Sequence, residues 1–328
     1  MRWTVEMANA WHEKTGFLAG CNYVPSTAVN ATEMWQAETF DLETIRRELG
    51  LAAGAGYNSV RVFLQFIVWA EEPEAFMRRL AAFMDAAREN NILVMPVFFD
   101  DCFTREPYLG KQDEPIPGKT NSQWTQSPGS SIADDPLREA ALREFVTSIV
   151  AAYGNDPGVV VWDLYNEPGA SGRREKCLPL VEKAFEWARS AKPMQPLTVG
   201  YWEDEEYNLR FEELSDVISF HDYLSPEGSA ERIARLKRHG RPLLCTEWLN
   251  RGGGNTFETH LTLYHREGIG AYNWGLVAGR LQTYLGWEMS KNPKSGYPLV
   301  WMHDIFYPNG TPYDEKEVKL LRRLRNEP

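Results

Sequence analysis

The chain has 328 residues and a formal net charge of −11, which argues against nucleic acid or an anionic membrane surface as partner, since both want clustered Lys and Arg. Its 43% hydrophobic and 25% charged content fits a folded enzyme and excludes a disordered or fibrous chain. Cys21, Cys102, Cys177 and Cys245 form no CxxC pair, and the six His show no ligand spacing. A disulfide framework and a zinc site are therefore not expected.

Residues 1–16 begin with a short helix: Thr4 can cap it, Val5, Ala8 and Trp11 share a face, and Gly16 can end it. They hold no apolar run of signal-peptide length. No stretch approaches a membrane span, so a cytoplasmic protein is the expectation. Oligomeric state is not readable. Eight apolar strand-like runs then follow, over residues 17–23, 59–66, 92–99, 159–165, 196–201, 217–221, 242–248 and 269–274. Amphipathic helical stretches lie between them, over 41–55, 73–90, 136–153, 174–191, 209–214, 229–239 and 256–267, with a last one over 314–325. Strand and helix in alternation predict βαβ units and a parallel sheet. Eight such units favour a closed (β/α)8 TIM barrel over an open sheet, with residues 1–328 as one catalytic domain. Joints before strands are short and Gly-rich. The longest connection, 100–135, follows the third strand and carries Trp124. Long loops after strands fit a site at the C-terminal rim of the barrel.

Two strand ends carry the chemistry. The run from Val159 ends in Asn166-Glu167-Pro168, and the run from Pro242 ends in Thr246-Glu247-Trp248. A carboxyl among apolar aromatics has a raised pKa and can serve as an acid near neutral pH. Two Glu on different strand ends supply the acid and the nucleophile that glycoside cleavage needs. The alternative readings are a cap for the next helix and a structural ion pair. The 12 Trp offer flat faces suited to sugar rings, or simple packing. Gly54-Ala-Gly56 precedes a strand, which is the wrong context for a dinucleotide loop. No proposed strand ends in Lys, which disfavours a Schiff-base aldolase. A non-catalytic sugar-binding barrel would not need the Glu pair.

In this order on successive strands, these motifs resemble glycoside hydrolase clan A, and most closely family 5. The resemblance covers residues 17 to about 287. It implies a retaining β-glycoside hydrolase with Glu167 as acid/base and Glu247 as nucleophile, needing no cofactor or metal. Arg61 looks like the clan arginine that contacts the nucleophile, the alternative being an ion pair in the barrel interior. Asn166 would bind the sugar 2-hydroxyl. His221 would line the nearby subsite and Tyr223 would hydrogen-bond the nucleophile. Trp274 looks like the floor of the −1 subsite. Family members often carry a His at the end of the third strand, where this chain has Asp100 and Asp101, so either Asp could bind sugar hydroxyls or cap a loop. Trp124, Trp202 and Trp248 are further subsite candidates. The segment from Gly20 to Asn30, with Met34-Trp35-Gln36, is similar to a bacterial subgroup resembling β-mannosidases. The resemblance thus implies short β-1,4-linked oligosaccharides as substrate, with β-mannosidase action as the lead and endo-action on mannan, xylan or glucan as the alternative.

Overall fold

The computed structural model describes residues 1–202, 206–287 and 296–326. Eight parallel strands close into a barrel in sequence order. They are β1 (Ala19–Tyr23), β2 (Ser59–Phe63), β3 (Leu93–Asp100), β4 (Trp162–Asn166), β5 (Leu197–Tyr201), β6 (Ile218–Asp222), β7 (Leu243–Trp248) and β8 (Gly270–Trp274). Closure comes from β1 pairing with β8, Ala19 opposite Ala271 and Asn22 opposite Trp274. The strands are buried almost throughout because helices cover their outer face and side chains fill the inner one. This explains why they read as apolar runs rather than alternating ones.

The helices form where capping and periodicity agree. Leu42–Ala55 starts at Asp41, whose side chain accepts from the Thr44 N–H, buries Ile45, Leu49 and Ala52, and stops at Gly56 with φ 107°. Pro73–Glu89 opens on its Pro, with Phe76, Leu80, Phe83 and Met84 inward. The N-terminal helix Val5–Thr15 is capped by Thr4 as its sequence indicates. Its Ala8 closes the bottom of the barrel against Leu18, Met95, Val161, Val217, Leu244 and Tyr272. Among the described residues no helix is long and apolar enough to cross a membrane.

Two local expectations are corrected, and the long loop gains detail. The run over 59–66 does not stay extended: β2 ends at Phe63 and Phe66–Glu71 is a helix. The cause is tertiary, because Gln65 Nε2 donates to the Gln126 carbonyl and the Phe66 N–H to Ser127 Oγ. Residues 256–267 begin as a π-turn, Phe257–Leu261, before the helix Thr262–Arg266. The long loop after β3 is ordered across its length. It returns to pair Ser127 with Asp100, and then forms the short helix Ser130–Ala133.

Above the barrel floor the interior turns polar. Tyr272 OH donates to Ser59 Oγ at 2.9 Å. Arg61, fully buried on β2, pairs with the equally buried Asp163 on β4 at 2.8 Å. A buried charge of this kind is stable only with its partner in place. The pair therefore locks β2 to β4 beneath the rim, where the candidate site is built.

Candidate active site

Glu167 and Glu247 converge at the C-terminal rim. An oxygen of each and a ring nitrogen of His221 lie within 4.8 Å of one another. Glu167 follows β4 directly, and its φ of 44° is left-handed, unusual for a Glu. The turn is held because its N–H donates to the Gly200 carbonyl at 2.7 Å. Such strain belongs where a side chain must be aimed. One carboxylate oxygen of Glu167 lies 2.7 Å from His221 Nδ1, and the other accepts from the Cys102 thiol at 3.0 Å. Glu247, on β7, accepts from Tyr223 OH at 2.6 Å and has His221 Nδ1 at 3.6 Å.

Burial pushes the Glu167 carboxyl above its ordinary range, opposed by the Cys102 hydrogen bond and the Arg61 charge. Burial also pushes Glu247 up; His221 holds it down, Glu167 raises it, and Tyr223 and Arg61 hold it down. His221 is pushed the other way, to about 4, chiefly by burial. It is therefore neutral near pH 7. With an ionised carboxylate as acceptor, Nδ1 is the protonated nitrogen. Glu167, His221 and Glu247 are also the one group among the described residues whose donors converge as a metal site would. A cation there would have to displace the His221–Glu167 hydrogen bond.

The two carboxylates open into a cavity of roughly 300 Å³ with Asn166, Trp274, Trp124, Phe63 and Trp202 in its walls. Trp274 lies 5.5 Å from Trp124 and 5.6 Å from Phe63, both edge-on, so its ring is held from two sides. Asn166 Oδ1 accepts from Arg61, and its amide donates one N–H to Asp100 at 2.8 Å. An amide has two N–H donors, so the other is left for the cavity.

The structure brings together Glu167, Glu247, Asn166, Tyr223, Trp274, Trp124 and Trp202, the last 45% exposed. It sets the other candidates elsewhere. Arg61 donates to Asp163, Asn22 and Asn166, and among the described residues it makes no hydrogen bond to Glu247. His221 sits behind the carboxylates with its side chain fully buried. Asp100 is buried and accepts from Asn166, Trp124 Nε1 and the Cys102 N–H; burial pushes it to about 8. Asp101 accepts from Tyr165 OH and the Gly169 N–H and pairs with Arg173 at 3.2 Å, which ties down the loop after β4. Trp248 packs against Phe257 and Tyr264 on the outside of β7. None of these five lines the cavity.

Sequence reading missed Cys102, Phe103, Asn121, Trp287 and His303, all in the cavity wall. They stand in loops, where no periodicity flags them. Gly200 was missed as well. It lets His221 lie flat against β5: a Cβ there would sit 2.9 Å from His221 Nε2, 3.1 Å from Thr246 Oγ1 and 3.3 Å from an Arg61 nitrogen. Gly200→Ala is therefore expected to push the imidazole off Glu167 and lower turnover by about 10²-fold, as small misplacements do. Steady-state kinetics beside a circular-dichroism melt would check this, the melt separating lost geometry from lost fold.

Residues 21–279 match the family described as Cellulase (glycosyl hydrolase family 5). No curated protein matches the sequence. Similar solved structures include a GH5_18 protein from Streptomyces cattleya in complex with GlcNAc, at 17% identity and TM-score 0.65, covering 95% of this chain and 81% of that one. An exo-beta-1,4-mannosidase from an Opitutaceae bacterium shares 16% identity at TM-score 0.63, over 94% of this chain and 59% of its own. An endo-beta-1,4-mannanase from Thermotoga petrophila shares 16% at TM-score 0.60, over 94% and 76%. At these identities the likeness is one of fold. The match over residues 21–279 spans most of the sequence, and the chain belongs to glycosyl hydrolase family 5.

Proposed function

We propose that this protein is a retaining β-glycosidase that removes single sugars, with β-mannose as the lead glycone, from the ends of short β-1,4-linked oligosaccharides. The observation that carries the reaction type is the carboxylate separation. One oxygen of Glu167 and one of Glu247 lie within 4.8 Å, a close approach that suits the separation of about 5–5.5 Å between the carboxyl groups of retaining enzymes better than the roughly 6.5–9.5 Å of inverting ones. Glu247 attacks the anomeric carbon while Glu167 protonates the leaving oxygen. The C–O bond to the leaving group breaks as the bond to Glu247 forms. That bond neutralises Glu247 and removes the charge that opposes ionisation of Glu167. Glu167 then takes a proton from water, whose oxygen bonds to the anomeric carbon as the bond to Glu247 breaks, and the sugar leaves with its starting configuration.

Exo-action is supported by one closed end. Glu167 on β4 faces the leaving group, and β8 with Trp274 stands across the barrel. On the β8 side the loop after β3 is fastened to the loop after β8. The Asn121 N–H donates to the Leu281 carbonyl, Gln282 Nε2 donates to the Ile116 and Lys119 carbonyls, and Arg280 pairs with Glu114. Toward β4, among the described residues, a cleft opens between Glu167, residues 169–172, Trp202 and Tyr207. A wall behind the glycone and an open leaving-group side suit removal of one terminal sugar. Mannose is the lead because a mannosidase and a mannanase stand among the structural neighbours.

The test is hydrolysis of p-nitrophenyl β-mannoside, β-glucoside and β-xyloside, with product anomers followed by proton NMR and product sizes from β-1,4 oligosaccharides. The reading expects monosaccharide only, first seen as the β-anomer. Mixed oligomers would replace it with endo-action on a β-1,4-glycan, and first appearance of the α-anomer would exclude retention. Oligosaccharide binding without cleavage would favour a sugar-binding barrel.

A further inference from the structure

The end of β3 supplies a hydrogen bond to each residue of the Asn166–Glu167 pair, and different groups make them. Asp100 Oδ1 accepts from Asn166 Nδ2 at 2.8 Å. The same Oδ1 accepts from the Cys102 N–H at 2.8 Å, closing a tight turn that fixes where residue 102 stands. From there the Cys102 thiol reaches the Glu167 carboxylate at 3.0 Å. Cys102 is half-buried, lies in the walls on both the glycone and the leaving-group sides of Glu167, and is the one cysteine of the four that is not buried. Neither Asp100 nor Cys102 is placed to be the attacking or proton-transferring group.

We infer that Asp100 and Cys102 are a pair of positioning residues, Asp100 orienting the Asn166 amide and the Cys102 thiol acting as a hydrogen-bond donor that holds and tunes the acid/base Glu167. The inference rests on the reading of Glu167 as acid/base. Its chemistry follows from which oxygens of Glu167 are taken. His221 occupies Oε1 and Cys102 occupies Oε2, so the ionised form accepts two donors. To be protonated on Oε2, Glu167 must turn the thiol away. A thiol is a weak donor and yields readily, where a hydroxyl would hold the carboxylate ionised more firmly. A residue that must be acid in one step and base in the next needs a partner of that strength.

Cys102 stays a donor. Burial first, then the Glu167, Asp100 and Glu247 carboxylates, push its thiol well above the ordinary value. The groups facing Glu167 come from four strands and the turns that follow them: Arg61 on β2, Asp100 at the end of β3 with Cys102 just beyond it, His221 on β6 with Tyr223 just beyond it, and Glu247 on β7. Of these the neutral thiol can be removed without changing the charge of the site.

The test is the pH dependence of kcat/KM in Cys102→Ala and Cys102→Ser. Loss of a donor to the ionised form raises the pKa of Glu167, so the alkaline limb is expected to move up by about 0.5–1 unit in Cys102→Ala. The serine hydroxyl returns it to the wild-type position or below. The limb is assigned with a 2,4-dinitrophenyl glycoside, whose leaving group needs no proton: the limb belonging to Glu167 flattens with it, and one belonging to Asp100 does not. A second readout needs no turnover. Cys102 alkylation by iodoacetamide at pH 8, followed by mass spectrometry, is expected to quicken several-fold in Glu167→Gln, where the thiolate no longer faces a carboxylate. An alkaline limb that stays in place in Cys102→Ala, or an alkylation rate unchanged in Glu167→Gln, overturns the assignment. A uniform fall in rate at every pH would mean packing only and overturns it as well. If the protein hydrolyses no glycoside, the proposed function fails while the alkylation arm still decides whether the thiol is bonded to Glu167.

Discussion

Glu247→Ala is expected to lower kcat on the order of 10⁶-fold, the scale seen when a covalent nucleophile is removed, and to leave the barrel folded. The side chain lies at the rim, and its hydrogen bond is to the hydroxyl of Tyr223, so its loss empties a small volume beside solvent rather than the core. That volume sits beneath the anomeric carbon. Sodium azide fits there and can attack from the face Glu247 would have used. Rescue should therefore yield the α-glycosyl azide from a β-glycoside, seen by proton NMR. Retained activity in the variant without azide would sink the assignment of Glu247.

Glu167→Ala should behave differently, and the difference is what assigns the roles. A general acid contributes about 10²–10⁴-fold, and only where the leaving group needs a proton. Alkyl glycosides and oligosaccharides should lose that factor, while a 2,4-dinitrophenyl glycoside should still be cleaved in the first step and then stall at the glycosyl-enzyme. Azide now attacks that intermediate from the opposite side and should yield the β-glycosyl azide. Burst kinetics with the activated substrate would check the stall. Equal losses on both substrates would mean Glu167 is not the acid. Both variants also bear on pH. Wild-type activity should rise as Glu247 ionises and fall as Glu167 loses its proton. Because burial raises both carboxyls, the optimum should lie above that of two exposed carboxyls.

The sequence by itself determined the order of eight βα units, hence the closed parallel barrel, because apolar runs and capped amphipathic helices are local signals. It also placed Glu167 and Glu247 on the fourth and seventh strand ends. From that placement their convergence follows, since strand ends in a barrel share one rim. Local spacing could not decide hydrogen-bond partners. Arg61 was expected against Glu247, yet it pairs with Asp163, a residue with no local mark of importance. Buried charges take the partner that the register across the barrel presents. For Asp100 and Asp101, at and just after the end of β3, sugar binding and loop capping read alike from sequence; the returning loop brings Trp124 and the Gly169 turn brings its N–H, and these take their lone pairs. Trp248 read as a subsite because it follows Glu247; side chains alternate along a strand, so it faces the other way. Cys102, Gly200, Asn121 and His303 stood out in no local pattern. Their place in the site depends on how loops from distant parts of the chain meet at the rim, and only the tertiary structure decides that.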